Sequence, residues 1–294
     1  MKEEFDDFFG DEYSDLVNRY EDMLKNKRQY FFDVYEFENI IDYYIESNKA
    51  NNALNAVQFA CKQHPGSINI QLKKAQVFID KGLASQALHI ISGIEKIESA
   101  NPEIYLIKGT ACNALGQYED AELAFDRAVE FAFEEDKEDT LNTIAQEFEH
   151  IGKYKISLKY LLQAFDLDPF NIMILYDIAY CYEKAGEIEN SLKFYNHYLD
   201  KEPFSENAWY NLGILYAKND DYDHAIEAFE YALAINPDFS LGYFNLGNAY
   251  SATDEYHKAI LNYQEYIKLD SESPEIFTYI GNCYENLGET DLAL

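Results

Sequence analysis

Positive charge is scarce in this chain. Twenty-three Lys and Arg stand against 54 Asp and Glu, a formal net charge of -31 over 294 residues. Nucleic-acid binding draws most of its affinity from cations that release counterions at phosphates. So acidic a chain is expected to bind neither nucleic acid nor anionic membrane. Long apolar runs are also missing: none approaches 18 residues, which excludes a membrane-spanning helix. The acidic start MKEEFDDFFGDEY has no apolar core and does not read as a secretory signal. Only four cysteines occur (Cys61, Cys112, Cys181, Cys283), far apart and with apolar neighbours. They read as small buried hydrophobes of a reducing compartment, and the cytoplasm is the expected location.

Catalytic signatures are absent as well. The six histidines never fall at the i, i+4 spacing of a helical metal site, and no HExxH, CxxC, P-loop or GxSxG occurs. Residues 219–223 (Asn219-Asp220-Asp221-Tyr222-Asp223) resemble a calcium loop but lack its turn glycine and closing glutamate. No set of mutually placed catalytic roles can be named. The expectation is a non-enzymatic chain with no cofactor and no metal.

What the sequence does contain is a repeat. Trp209-Tyr210-Asn211-Leu212-Gly213-Ile214-Leu215-Tyr216 is followed by Ala225, Phe229 and Pro237, and these slots refill at a 34-residue step. The Ala225 slot holds Ala53, Ala87, Ala121, Ser157, Ser191, Ala225, Ala259 and Ala293, always small. Five residues earlier stand Asn48, Gly82, Gly116, Gly152, Gly186, Asp220, Asp254 and Gly288. Gly, Asn and Asp tolerate the left-handed backbone that ends a helix. The Gly213 slot holds Ala75, Gly109, Ala145, Ala179, Gly247 and Gly281, with Ile41 in the first copy. Between these marks apolar residues recur every three or four positions, so each unit reads as helix, tight turn, helix. All six prolines fall at unit junctions, where they do not break a helix.

The pattern from Trp209 to Pro237 resembles the tetratricopeptide repeat, matching its W-x2-L-G-x2-Y, A-x3-F, P signature over 34 residues. The units are placed at 34–67, 68–101, 102–137, 138–171, 172–205, 206–239, 240–273 and a truncated 274–294, nearly nine-tenths of the chain. Early units depart from the pattern: Gln71 fills the Trp slot and Lys74 the Leu slot. Tyr198 and Tyr266 stand where Ala232 does, so packing should differ there. The late start of the fourth unit implies a longer connection around Phe131 to Lys137. The resemblance implies an all-α, right-handed superhelical solenoid of antiparallel helix pairs.

Residues 1–33 precede the array as an acidic segment. A helix from about Asp15, with Leu16, Val17, Tyr20, Met23 and Leu24 on one face, is expected to cap the first unit. Phe5, Phe8, Phe9 and Tyr13 form either a loose tail or a docking motif. At the other end the chain stops a few residues into the second helix of the eighth unit. The expectation is a piece of a longer protein, with self-association through that end as a further expectation.

The resemblance implies that first helices line a concave, partner-binding groove. One of its slots runs Glu38, Leu72, Leu106, Asn142, Tyr176, Tyr210, Phe244, Thr278. No cation stands there, so the acidic C-terminal tails of chaperones, which family members hold with Lys and Arg, are not expected partners. Tyr176, Tyr210 and Phe244 form an aromatic row instead, with Tyr180 and Ile214 one turn on. Two readings of the row stand, neighbour packing and recognition. Asn211, Asn245, Asn248 and Asn282 could bond a partner's backbone. The expected function is a protein-interaction scaffold holding a protein or peptide segment with apolar anchors and basic flanks. The alternative is an arm of a larger enzyme or signalling protein. Trp209 itself is expected to pack between helices.

Overall fold

The computed structural model describes residues 15–27, 29–270 and 274–293. Phe5, Phe8, Phe9 and Tyr13 lie outside the described residues. The chain divides into two compact units, the first ending at Thr140 and the second beginning at Leu141.

In the first unit a helix over 15–26 (α1) precedes three helix pairs. These are α2 (Val34–Glu46) with α3 (Ala50–Gln63), α4 (Ile68–Asp80) with α5 (Ala84–Ile94), and α6 (Pro102–Ala114) with α7 (Tyr118–Phe131). A single 3-10 turn, Glu134–Asp136, fills the connection that the sequence marks as longer and leads into α8 (Lys137–His150). In the second unit α8 continues and pairs in sequence with α9 (Tyr154–Leu167). Then come α10 (Ile172–Lys184) with α11 (Ile188–Leu199), α12 (Glu206–Lys218) with α13 (Tyr222–Ile235), and α14 (Ser240–Ala252) with α15 (Tyr256–Leu269). The last are α16 (Ile276–Leu287) and the single turn α17 (Thr290–Ala293). Among the described residues the regular structure is helical throughout, so the fold is an all-α solenoid of helix pairs.

The turn inside each pair has one construction. Asn48, Gly82, Gly116, Gly152, Gly186, Asp220, Asp254 and Gly288 all have positive φ, between 54° and 78°. The next residue's N–H then reaches back to the carbonyl five positions earlier, as in Leu83 to Phe78 at 2.7 Å and Asp221 to Tyr216 at 2.9 Å. All eight turns carry that bond. It satisfies a carbonyl that the end of a helix would otherwise strand. Five of the first helices are started by side chains, whereas the residues before α14 and α16, Phe239 and Glu275, make no such bond. Asp33 and Glu36 form a reciprocal capping box on α2, and Ser67, Asn101, Asn171 and Ser205 cap α4, α6, α10 and α12. Pro102 is the first residue of α6, where its missing N–H is not needed.

Close packing explains the small slots. Ala53, Ala87, Ala121, Ser157, Ser191, Ala225 and Ala259 are completely buried, and Ala293 is half-buried. A Cβ built on Gly109, Gly213 or Gly247 would stand 2.4, 2.6 or 2.6 Å from the ring of Phe125, Phe229 or Tyr263. Each of those rings comes sixteen positions later, from the second helix of the same pair. Where the slot holds Ala75, Ala145 or Ile41, the residue sixteen positions on is Ile91, Leu161 or Val57. In the Gly, Ala75 and Ala145 pairs a larger residue on one helix faces a smaller one on the other, as close packing requires, whereas Ile41 with Val57 is bulkier in sum. Ala179 with Tyr195 is the mixed pair. There Asn211 Nδ2 holds the tyrosine hydroxyl at 3.1 Å.

Tyr20 of α1 is buried among Phe32, Phe37, Tyr44 and Phe59, each ring meeting it edge-on at 6.0–6.5 Å. α1 therefore completes the core of the first pair instead of resting on its surface.

Candidate functional site

In the second unit the first helices α10, α12 and α14 are joined by a recurring pair of side chains. Asn211 Nδ2 donates to Tyr176 Oη at 2.9 Å, and Asn245 Nδ2 donates to Tyr210 Oη at 2.9 Å. Both pairs are 35 residues apart, so each asparagine bonds the tyrosine of the preceding repeat. Asn211 also donates to Tyr195 Oη, and Asn248 Oδ1 accepts from Tyr263 Oη at 2.8 Å. One step further the chemistry changes in the same register. Phe244 has no hydroxyl, Tyr279 replaces the asparagine, and the two rings meet edge-on at 5.3 Å.

The aromatic row is thus half-buried and engaged. Tyr176 packs on Tyr195 and Tyr198, Tyr210 on Phe229 and Phe239, and Phe244 on Tyr263 and Tyr266. The large Tyr198 and Tyr266 fill against Tyr176 and Phe244. Opposite Tyr210 the slot holds only Ala232, and Phe239 closes on Tyr210 at 4.8 Å instead. Tyr180, Ile214, Asn245 and Asn248 are half-buried on the same helices, and Asn282 on α16 is exposed. Trp209 donates from Nε1 to the Pro203 carbonyl at 2.8 Å and stacks on Tyr231 at 4.6 Å, which pins the junction before α12 to α13.

Charges on these helices are arranged in pairs. Glu183, with only 6% of its side chain exposed, accepts from Lys184 Nζ at 3.2 Å and Lys218 Nζ at 2.9 Å. On the first unit Lys73 is tied to Asp42 at 2.7 Å, and burial pushes the nearby Glu103 carboxyl upward against the pull of Lys73. Glu149 Oε1 accepts from Ser157 Oγ at 3.1 Å and from the Cys181 thiol at 3.2 Å. Burial raises all four cysteine thiols, which disfavours a reactive thiolate. Three of them are buried as expected, whereas Cys61 is half-buried beside Gln71 Nε2 at 3.7 Å. Among the described residues no three His, Cys, Asp or Glu side chains are grouped to hold a metal. No described helix is long and apolar enough to cross a membrane. The calcium-like stretch is the ordinary turn before α13: Asp220 adopts positive φ and Asp221 caps the helix at His224 N.

Asp177 occupies the slot of Asn211 and Asn245, and by the same register its counterpart is Asn142. Asn142 Oδ1 is buried with no hydrogen-bond partner among the described residues. Burial, and then the charge of Glu149, push the Asp177 carboxyl up to about 6. Between the ordinary aspartate value and about 6 the folded chain holds more protons than the unfolded chain, so stability falls as pH rises through that window. Asp177→Asn restores the donor of the other rungs. It is expected to raise the melting temperature near neutral pH and change it little at about pH 4, where Asp177 is already protonated. Thermal melts at both pH values check this; an equal shift at both would contradict it.

The comparisons with known proteins agree with this architecture. Four models of the tetratricopeptide repeat match residues 102–134, 174–205, 206–239 and 228–260. Among solved structures, MamA is similar at 25% identity over 51% of this chain and 88% of that chain, with a TM-score of 0.50. MamA from Desulfovibrio magneticus RS-1 is 22% identical over 54% of this chain and 89% of that one, at 0.52. The C-terminal part of a TPR repeat-containing protein from Cytophaga hutchinsonii is 17% identical over 76% and 91%, at 0.60. No curated protein matches the sequence. The 34-residue period, the eight identical turns and the matching repeat models make this chain a tetratricopeptide-repeat protein.

Proposed function

We propose that this chain is a non-enzymatic scaffold whose first helices in the second unit hold a protein segment with apolar anchors and basic flanks. The observation that carries the reading is the face built by α10, α12 and α14. Its backbone spacing is locked by the Tyr176–Asn211 and Tyr210–Asn245 bonds, while Tyr180, Ile214 and Asn248 keep part of their surface open at equivalent places in three repeats. A face that does not have to rearrange loses little on binding.

Charge supports the choice of partner. The cations of α10 and α12, Lys184 and Lys218, are already spent on Glu183, and Lys73 on the first unit is spent on Asp42. On the first unit the equivalent face carries Glu38, Asp42 and Glu103. An acidic tail would meet repulsion, and a basic segment would be steered in. Cytoplasmic residence suits four free cysteines.

The test uses Ile214→Lys on this face and Glu227→Lys on the exposed surface of α13, which also adds positive charge. Both variants are checked for an unchanged melting profile and used to capture partners from cells of the source organism. Loss of a partner with Ile214→Lys but not with Glu227→Lys is expected. Equal retention by both would remove the face from the account.

A further inference from the structure

The junctions before α10 and α12 carry an unusual surface. Phe170 is 89% exposed, and Phe204, 34 residues later in the same place of the next repeat, is 81% exposed. Met173, at the start of α10, is 65% exposed, and Leu241, its equivalent two repeats on at the start of α14, is 48% exposed. Single exposed apolar residues are ordinary on a soluble protein. A series recurring at matched positions of stacked repeats, and therefore along one edge, is not.

These side chains are held out on fixed turns. Asp168 Oδ1 accepts from Phe170 N at 3.0 Å, and Asn171 Oδ1 accepts from Met173 N at 3.2 Å. Ahead of Phe204 the Pro203 carbonyl is bonded by Trp209, and behind it Ser205 caps α12 at Ala208 N, 3.3 Å. The exposed rings therefore sit on hydrogen-bonded, proline-containing turns, and presenting them to a partner requires little further ordering. Around them stand exposed Asp166, Asp200, Glu202 and Asp238, with Lys201 as a cation among them.

We propose that the junction edge marked by Phe170, Met173, Phe204 and Leu241 is a docking surface for a basic amphipathic segment of another protein. Its apolar side chains cover the two rings, and its Lys or Arg residues meet the flanking carboxylates. The net charge of -31 argues against a second copy as the occupant, since two such chains repel. The proposal rests on the protein-binding reading above and places anchors beside the first-helix face, at residues left exposed among the described residues.

The test is fluorescence anisotropy with a labelled amphipathic Leu/Lys helical peptide, and with its Leu/Glu counterpart as a control. The proteins are the wild type, Phe170→Ser/Phe204→Ser and Ile214→Lys. The serine substitutions leave the charge unchanged, and exposed positions should leave the melting profile unchanged. The Leu/Lys peptide is expected to bind the wild type and the Leu/Glu peptide is not. The double variant is expected to bind about tenfold or more weakly, because buried aromatic anchors carry most of an interface's energy. Wild-type affinity in the double variant, with binding weakened by Ile214→Lys, would overturn the edge and leave the first-helix face standing. No binding of the Leu/Lys peptide to the wild type would overturn both. A wild-type dimer by light scattering that becomes monomeric in the double variant would assign the edge to a second copy and overturn the proposal.

Discussion

Gly213→Ala is expected to destabilise the fold by about 1–3 kcal/mol, even though alanine ordinarily strengthens a helix interior by about 1 kcal/mol over glycine. The added methyl would stand 2.6 Å from the ring of Phe229, which is completely buried and held on all sides. Neither the ring nor the helix can withdraw without opening a void elsewhere in the core. The repeats themselves supply the compensation. Ala145 stands opposite Leu161 and Ala75 opposite Ile91, so Gly213→Ala should be relieved by Phe229→Leu. Urea melts of the two single variants and the double variant form a cycle. The double variant should be more stable than the sum of the single effects implies. Strict additivity, or a stabilised Gly213→Ala, would contradict the size-matching account.

Tyr20 gives the second large effect, and its two substitutions act in opposite directions. Tyr20→Ala removes a buried ring that touches Phe32, Phe37, Tyr44 and Phe59, and is expected to lower stability by about 3–5 kcal/mol. Tyr20→Phe keeps the ring and removes only the hydroxyl. That oxygen is buried with no hydrogen-bond partner among the described residues. A polar group left unpaired in the core costs about 1–3 kcal/mol, so Tyr20→Phe should raise the denaturation midpoint. A lowered midpoint in Tyr20→Phe would show that the hydroxyl is satisfied in solution. An unchanged midpoint in Tyr20→Ala would show that α1 is not part of the first core.

The turns were legible because they depend on one residue each. Asn48, Asp220 and Asp254 stand among glycines in a single slot, and the left-handed backbone is what those three residue types share. The small Ala and Ser slot was legible for the same reason. Size matching between Gly213 and Phe229 was not, because it joins two positions on different helices and neither is unusual alone. The Tyr–Asn rungs were partly visible. Tyr176 to Asn211 and Tyr210 to Asn245 repeat a spacing of 35, one more than the period, and that offset marks a contact between repeats. Read one residue at a time, those asparagines suggested a partner's backbone instead. Phe170 and Phe204 are not legible in the sequence, because a junction has no helical periodicity against which an exposed aromatic stands out.

The central claim is that a partner lies across the first helices of the second unit. A photoreactive amino acid placed at Ile214 on α12, and separately at Glu227 on α13, tests it in the cells that make the protein. The account predicts that the Ile214 position crosslinks to a protein through a segment rich in Lys or Arg and apolar residues, and that the Glu227 position does not. Crosslinking of the same partner with equal yield from both positions, or from Glu227 alone, would contradict it.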